Sequence, residues 1–170
     1  MTTRKSVVNR KRSAAFTLIE MVVVVTLVGV LLTIAVPSFR QLILNQGIKT
    51  ASFDLFSALQ FARSEAIKRN DTTSLKAGAS SDAAWTAGWR VVDSSNNLLR
   101  TWSAASNLTI AETANSGAAT ITFARDGHVT APGQPARIQI APTTSVSGVT
   151  SRCVGVDLIG RPISLQGNCS

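Results

Sequence analysis

Hydrophobic side chains follow two different periods along this chain, and the change between them separates a helical region from a strand region. From Phe16 to Val36 nearly every residue is apolar, and the one charged side chain in this run is Glu20. A helix of roughly 20 apolar residues crosses the hydrocarbon core of a lipid bilayer. The run therefore predicts a transmembrane helix, with Pro37 at its end.

After Pro37 the hydrophobic pattern becomes that of a half-buried helix. Apolar and small residues recur at spacings of three and four, which places them on one helical face. They are Ile48, Ser52, Leu55, Leu59, Ala62 and Ala66. Phe53 and Phe56 form a second apolar patch. Both patches can belong to one core, or the second can pack against other helices, and the sequence leaves these alternatives open.

The two segments together predict one long helix from Phe16 to Arg69, about 80 Å in length at about 1.5 Å per residue. Pro37 and Gly47 are expected to bend or loosen it, because proline removes a backbone hydrogen bond and glycine is a poor helix former. The helix is expected to end at Asn70-Asp71.

From Thr72 onward, short alternating runs separated by turn residues are typical of β-strands. The expected strands are Thr72–Ala77, Gly88–Asp93, Leu98–Trp102, Leu108–Ala111, Ala119–Ala124, His128–Thr130, Arg137–Ile140, Cys153–Ile159 and Pro162–Leu165. Turns are expected at residues 94–97, at Asp126-Gly127, at residues 131–133 and at Gly160. A helical region followed by a run of strands predicts an α+β fold.

A basic leader precedes the apolar run. The chain has 17 lysines and arginines against nine acidic residues, and five of the basic side chains lie in residues 1–15, which contain no acid. This concentration of charge in the leader weakens the argument for nucleic acid that a basic composition otherwise gives. Basic residues beside an apolar span stay in the cytoplasm, so the region after the span is expected outside it.

Glu20 is the residue of the apolar run that requires a reason. A carboxylate inside a membrane costs a few kcal/mol or more and usually marks pairing or function. Cleavage between Ala15 and Phe16 would create an amino group four residues before Glu20, able to pair with Glu20 of the same chain or of a neighbour. A secretory signal peptide has a shorter apolar segment, of about 7–15 residues, and an uncleaved anchor gives Glu20 no role.

The residues around this point, A-FTLIE-MVVVV and later AVP, resemble the class III signal of type IV prepilins and type II secretion pseudopilins. In those proteins a dedicated prepilin peptidase cuts before the phenylalanine and methylates the new amine. The resemblance implies processing between Ala15 and Phe16, with Glu20 and Pro37 as assembly residues. The family usually has glycine before the cut, where this chain has alanine.

Later motifs are similar to those of the GspH/FimT family of pseudopilins and minor pilins. They are Ser64-Glu65-Ala66 at the end of the helix, W-x-x-G-W from Trp85 to Trp89, F-x-x-x-G from Phe123 to Gly127, and Gly160-Arg161. The resemblance implies a type IV pilin-like fold, in which a long N-terminal helix packs on a C-terminal antiparallel β-sheet domain. The two tryptophans are expected to be anchors of its core.

The same resemblance implies the organisation and the use of the chain. Residues 1–15 would be a cleaved leader, 16–37 the transmembrane and assembly helix, 38–70 its amphipathic continuation and 71–170 a β-rich domain in the periplasm. The chain would be a minor pilin that helps to initiate or cap a type IV pilus, or a GspH-type minor pseudopilin of a type II secretion system. Its partners would be other pilins or pseudopilins, the prepilin peptidase and the inner-membrane assembly platform.

Cys153 and Cys169 form an even pair, which favours a disulfide in an exported domain. Two free thiols remain an alternative if the domain stays in the cytoplasm. A metal site lacks partners, since His128 is the only histidine and no C-x-x-C spacing occurs, so no cofactor is expected. Nucleophile elbows, phosphate loops and dinucleotide motifs are also missing from the sequence. The chain is therefore expected to be the substrate of a peptidase and not an enzyme.

One basic patch, formed by Arg137, Arg152 and Arg161, indicates DNA as a further candidate partner, because arginines contact phosphates without reading sequence. In the FimT branch of the resembling family, a tail motif G-R-x-R binds DNA. This chain keeps Gly160 and Arg161 but has Ile163 at the second arginine position. The alternative is that Arg161 is solvated or ion-paired in a turn.

Overall fold

The structure, a computed structural model, describes residues 16–80, 84–103, 106–113, 120–130, 136–157 and 159–169. It contains one α-helix, α1, at Leu18–Arg69, which runs without interruption through Pro37 and Gly47. The chain divides after Ser38 into two units, a helical segment and a body. The predicted leader, residues 1–15, lies outside the described residues.

The helix α1 ends where the sequence predicts. Asn70 follows it with a φ of 53°, in the left-handed region that asparagine tolerates better than most residues. The Asn70 N–H donates to the Ile67 carbonyl and the Asp71 N–H donates to the Ala66 carbonyl, both at 3.2 Å. These two bonds form a Schellman motif, which satisfies the last carbonyl groups and stops the helix.

The predicted stripe on α1 is confirmed, because every one of its residues is buried in the body. The larger side chains of this face are separated by alanines that are at most 3% exposed: Ala51, Ala58, Ala62 and Ala66. The second apolar patch is divided between two environments. Phe53 is 70% exposed, whereas Phe56 packs against the core.

The strands form two antiparallel sheets. Sheet A contains, in spatial order, β3 (Leu98–Trp102), β2 (Trp89–Asp93), β1 (Thr73–Ala77), β5 (Thr120–Phe123) and β6 (Val129–Thr130). Sheet B contains β4 (Leu108–Glu112), β7 (Arg137–Pro142), β8 (Arg152–Val156) and β9 (Pro162–Gln166). A short 3-10 helix, Trp85–Ala87, precedes β2.

Each strand predicted from the alternation is present. The predicted strand Cys153–Ile159 is wrong at its end, because β8 stops at Val156. Beyond that end, the Oδ1 atom of Asp157 accepts a hydrogen bond of 2.7 Å from the backbone N–H of Arg161. This bond closes the turn that leads into β9. The predicted start of one strand at Ala119 and the predicted turn at residues 131–133 lie outside the described residues.

Both sheets share one core with α1. Inward-facing residues alternate along the strands and include Leu75, Val91, Ile121 and Phe123 of sheet A and Ile138, Ile140, Val154 and Val156 of sheet B. Trp85 and Trp89 are 5% and 0% exposed, so the predicted core anchors are confirmed. A helix packed on antiparallel sheets is the α+β arrangement that the sequence predicts.

The C-terminal tail is tied to the outer face of sheet B. Cys153 and Cys169 are joined by a disulfide, as predicted. The Asn168 side-chain oxygen accepts hydrogen bonds from Gln139 at 3.0 Å and from Ser151 at 2.6 Å. Gln139 alternates with core residues of β7 and is the register partner of Cys153 on β8. The tail therefore lies on the side of the sheet that faces away from α1.

Removing this disulfide is expected to lower the free energy of unfolding by about 3 kcal/mol, because closing a loop of this length restricts the unfolded chain. The double variant Cys153→Ser/Cys169→Ser tests this by thermal unfolding in detergent, followed by circular dichroism. Wild-type protein treated with a thiol reductant is the control and should lose the same stability. A double variant as stable as the oxidised wild type would contradict the expectation.

Candidate functional site

The apolar half of α1 is uncovered in the part of the chain that the structure describes. Its large apolar side chains, from Phe16 to Val36, are between 46% and 82% exposed. Burying each such side chain fully is worth about 1.5–3 kcal/mol, so leaving all of them in water is strongly unfavourable. By length and composition, α1 is long and apolar enough to cross a membrane. This half of the helix therefore requires lipid or other helices around it.

The threonines inside this segment satisfy their hydroxyl groups within α1. Thr26 Oγ1 donates to the Val23 carbonyl at 2.8 Å, and Thr33 Oγ1 donates to the Val30 carbonyl at 2.7 Å. Bonds of this kind let a hydroxyl group lie in lipid without an outside partner. The carboxylate of Glu20 is then the one charged group left in the segment.

Thr17 caps the start of α1 by bonding the backbone of Glu20. Thr17 Oγ1 accepts a hydrogen bond from the Glu20 backbone N–H at 3.3 Å. The spacing T-x-x-E is that of a capping box, and a negative charge is favoured at a helix N-terminus. Thr17 is absent from the predicted site residues, although this spacing identifies it. Glu20 thus has a role within its own helix besides the predicted role between subunits.

The predicted processing site is described on one side of the cut. Phe16 lies just before α1 and is 79% exposed, whereas Ala15 lies outside the described residues. An amine on Phe16 would begin the same helical turn that carries Glu20, which supports the pairing expected from the sequence. Pro37 lies inside α1, next to the boundary between the two units at Ser38.

Two glycine turns pack directly against each other in the body. Gly127 lies between β5 and β6 and Gly160 lies between β8 and β9, with φ of 80° and 78°, values that favour glycine. A Cβ added to Gly160 would overlap the carbonyl oxygen of Gly127, and a Cβ added to Gly127 would lie 2.9 Å from Ile67 Cδ1. The junction therefore joins both sheets to α1. It gives a physical reason for the F-x-x-x-G and Gly-Arg motifs.

Polar groups surround this glycine junction. Arg63 of α1 donates from Nη2 to the carbonyl of Ile159 at 3.3 Å. The His128 backbone N–H donates to Asp126 Oδ1 at 3.0 Å, and this hydrogen bond lowers the pKa of the Asp126 carboxyl. The His128 ring is exposed, with Nδ1 3.3 Å from Asp126 Oδ2. Within the described ranges, no group of three His, Cys, Asp or Glu side chains is placed to hold a metal ion.

The strand register separates Arg152 from the other two arginines of the predicted basic patch, Arg137 and Arg161. Arg161 is exposed, and its Nε lies 3.2 Å from Asp157 Oδ2, which is the ion-paired alternative. Arg137 is partly buried and donates from Nη1 to the Val156 carbonyl at 3.4 Å. Arg152 lies at the opposite end of β8, because the register places it beside the end of β9 and Val156 beside the start. DNA binding stays a prediction, and Arg152 does not share the end of β8 at which Arg137 and Arg161 lie.

Two family models match the sequence. The model described as Type II transport protein GspH matches residues 51–160. The model of the prokaryotic N-terminal methylation motif matches residues 10–36. A search of curated proteins gives no significant match.

Solved structures of two minor subunits share the fold. The type IV minor pilin FimU of Pseudomonas aeruginosa is 26% identical, with a TM-score of 0.56 over 68% of this chain and 86% of that chain. The minor pseudopilin EpsH from the Type 2 Secretion System of Vibrio cholerae is 14% identical, with a TM-score of 0.52 over 69% of this chain and 95% of that chain. The likeness to EpsH is one of fold alone.

An N-terminal helix with an uncovered apolar half, whose other half packs on two antiparallel sheets, defines a type IV pilin-like protein. Its first turn carries the threonine and glutamate of the methylation motif. The chain belongs to the GspH family. The family and the fold predicted from the sequence are therefore confirmed, and the chain is a structural subunit of the minor pilin and pseudopilin type.

Proposed function

We propose that the chain is a minor subunit that helps to initiate or cap a type IV pilus. The peptidase would remove residues 1–15, and residues 16–37 would anchor the chain in the inner membrane with its body in the periplasm. During assembly the same helix would pass into the filament core. The amphipathic residues 38–70 and the β-rich residues 71–170 would then contact neighbouring subunits.

The observation that carries this proposal is the position of Glu20 at the start of an exposed apolar helix. Among the described residues the Glu20 carboxylate has no counter-ion. An amine on Phe16 of a neighbouring subunit would supply one. Removing one partner of a buried ion pair is strongly unfavourable, so a pair of this kind favours subunits that sit side by side with their first turns in register.

Sequence similarity favours a pilus over a secretion pseudopilus. The chain is 26% identical to FimU, a type IV minor pilin, and 14% identical to EpsH, a minor pseudopilin. The name of the family, Type II transport protein GspH, points in the other direction. A minor pseudopilin of type II secretion is therefore the second candidate, and its anchor and assembly helix would be used in the same way.

Mass spectrometry of surface pili sheared from cells is expected to find this chain, beginning at Phe16 and carrying one added methyl group on its amine. The physical reason is that the amine must be exposed before it can pair with Glu20. An Ala15→Arg variant, with a bulky charged residue at the cut, is the control and should stay unprocessed in the membrane fraction.

Two results would change this proposal. Native chain that still carries residues 1–15 would contradict processing and, with it, the pairing of Glu20. Processed chain that occurs in the membranes of piliated cells but is absent from their sheared pili would favour the secretion pseudopilus.

A further inference from the structure

A groove of about 400 Å³ opens in the body between α1 and the edge of sheet B. It is lined by Lys49, Ser52, Phe53 and Phe56 of α1, Arg152 of β8 and Ser164 of β9. We propose that this groove is a docking surface for an extended segment of another protein. The segment would add to β9 as a further strand, and on its face toward α1 acidic side chains would alternate with apolar ones.

The floor of the groove is the part of α1 that sheet B does not reach. Its four helical residues recur at spacings of three and four, so they share one face of α1. Ser52 is buried and Phe56 packs partly against the core, but Phe53 is 70% exposed. The rings of Phe53 and Phe56 thus offer apolar surface to an incoming side chain.

The outer edge of β9 carries backbone groups that are free to bond. The Gly167 N–H donates to the Ser151 carbonyl at 2.8 Å, just beyond the end of β9. Bonded pairs alternate along an antiparallel ladder, so Ser164 and Gln166 direct their N–H and C=O groups away from β8. Pro162 has no N–H, a feature tolerated in edge strands. The edge therefore offers two N–H donors and several carbonyl acceptors.

No described residue covers this edge. Sheet B ends at β9, and Ser164 and Gln166 are exposed. The tail turns at Gly167, with a φ of 103°, and crosses the outer face of the sheet to the disulfide at Cys153. The tail thus fixes β9 in place and leaves its edge open. An open edge strand is a template for a strand from another chain.

Charge at the groove determines which strand fits. Lys49 and Arg152 are cationic, and none of the six lining residues is acidic. A residue placed opposite Ser164 in an added strand would direct its side chain to the same face of the sheet, toward α1. A carboxylate there would approach both cations, and an apolar side chain two residues along would cover Phe53.

Two other occupants match these groups less well. A second copy of this chain would bring the cations of both molecules into one interface, where like charges repel. A lipid acyl chain would contact the phenylalanine rings but would leave the backbone groups of β9 without partners. The inference does not depend on the pairing of Glu20, and it holds for a pilus or a pseudopilus subunit.

Peptide binding to the full-length chain in detergent micelles tests the proposal. The probe is a short fluorescein-labelled peptide in which glutamate and valine take turns at every second position, with threonine between them, and its counterpart has lysine in place of glutamate. Fluorescence anisotropy should show the glutamate peptide binding at least about tenfold more tightly than the lysine peptide, because its charges are complementary to those of the groove. Hydrogen–deuterium exchange should slow in β9, at Ser164 and Gln166.

Charge reversal at the groove, Lys49→Glu with Arg152→Glu, should invert the preference between the two peptides. The matched control is Arg125→Glu, on the exposed turn between β5 and β6, and it should leave the preference unchanged. Ser164→Pro removes an outward N–H and should weaken binding by about tenfold, whereas Ser164→Ala keeps this N–H and should not. Melting curves establish that each variant is folded. If Ser164→Pro is not folded, slowed hydrogen exchange in β9 of the peptide-bound wild type tests strand addition instead.

Equal affinity for the two peptides, or slowed exchange only outside β9, would overturn the proposal. Dimerisation of the free chain that slows hydrogen exchange in β9 and blocks binding of the glutamate peptide would overturn it in favour of a second copy. Displacement of the glutamate peptide by phospholipid of neutral headgroup would overturn it in favour of an acyl chain.

Discussion

Replacing Glu20 with alanine is expected to leave the chain processed and in the membrane but to lower its incorporation into filaments by about a hundredfold. The variant leaves the amine of a neighbouring Phe16 in an apolar environment without a counter-ion. Breaking a buried ion pair costs about 3–5 kcal/mol, and about 1.4 kcal/mol corresponds to a factor of ten. Immunoblots that compare sheared filaments with membranes measure the ratio.

The structure provides two controls that separate pairing between subunits from capping within α1. Glu20→Gln keeps a side chain suited to a capping box but removes the charge, so pairing predicts a defect as large as that of Glu20→Ala. Thr17→Ala removes the hydroxyl that accepts the Glu20 N–H and leaves the carboxylate, so pairing predicts near-normal incorporation.

The opposite pattern would assign Glu20 to the helix cap. Normal incorporation of Glu20→Gln, together with a defect in Thr17→Ala, would show that the first turn of α1 needs its cap and not its charge. Normal incorporation of Glu20→Ala would remove both roles.

Gly160→Ala is expected to destabilise the body by about 3–5 kcal/mol, enough to lower its melting temperature by more than about 10 °C. A left-handed backbone costs about 1–2 kcal/mol for a residue with a Cβ. The new methyl group would also overlap the carbonyl oxygen of Gly127, so the two turns would have to separate. Thermal unfolding in detergent, followed by circular dichroism, measures the loss.

Gly167→Ala is the matched control for this substitution. Gly167 also has a positive φ, of 103°, but a Cβ added there meets no atom within 4 Å. It should therefore lose the backbone contribution alone, about 1–2 kcal/mol. The difference between the two variants measures the contact between the glycine turns. Equal melting temperatures for the two variants would contradict that contact.

Local patterns were sufficient for the elements of this fold. The stripe from Ile48 to Ala66 predicts the buried face of α1, because spacings of three and four residues locate one side of a helix whatever packs on it. Alternation gives the strands in the same way. Thr17 was not among the predicted site residues, although its T-x-x-E spacing with Glu20 is a local signal of a helix cap.

Contacts between distant parts of the chain did not follow from these patterns. The meeting of Gly127 with Gly160 depends on how sheets A and B are placed, and the spacing of either glycine carries no information about the other. Phe53 and Phe56 look alike in the sequence, but Phe56 packs against the core and Phe53 is exposed. Arg152 and Arg161 are close along the chain, yet the register of β8 and β9 separates them.

The alanines on the buried face of α1 have a consequence for how proteins of this kind diversify. Ala51, Ala58, Ala62 and Ala66 are buried in the core, and larger side chains there would strain the packing. Substitutions that fit the chain to a new neighbouring subunit are therefore expected on the solvent-exposed side of α1, on edge strands and in loops. The packing between α1 and the sheets can then stay the same while the surface of the body changes.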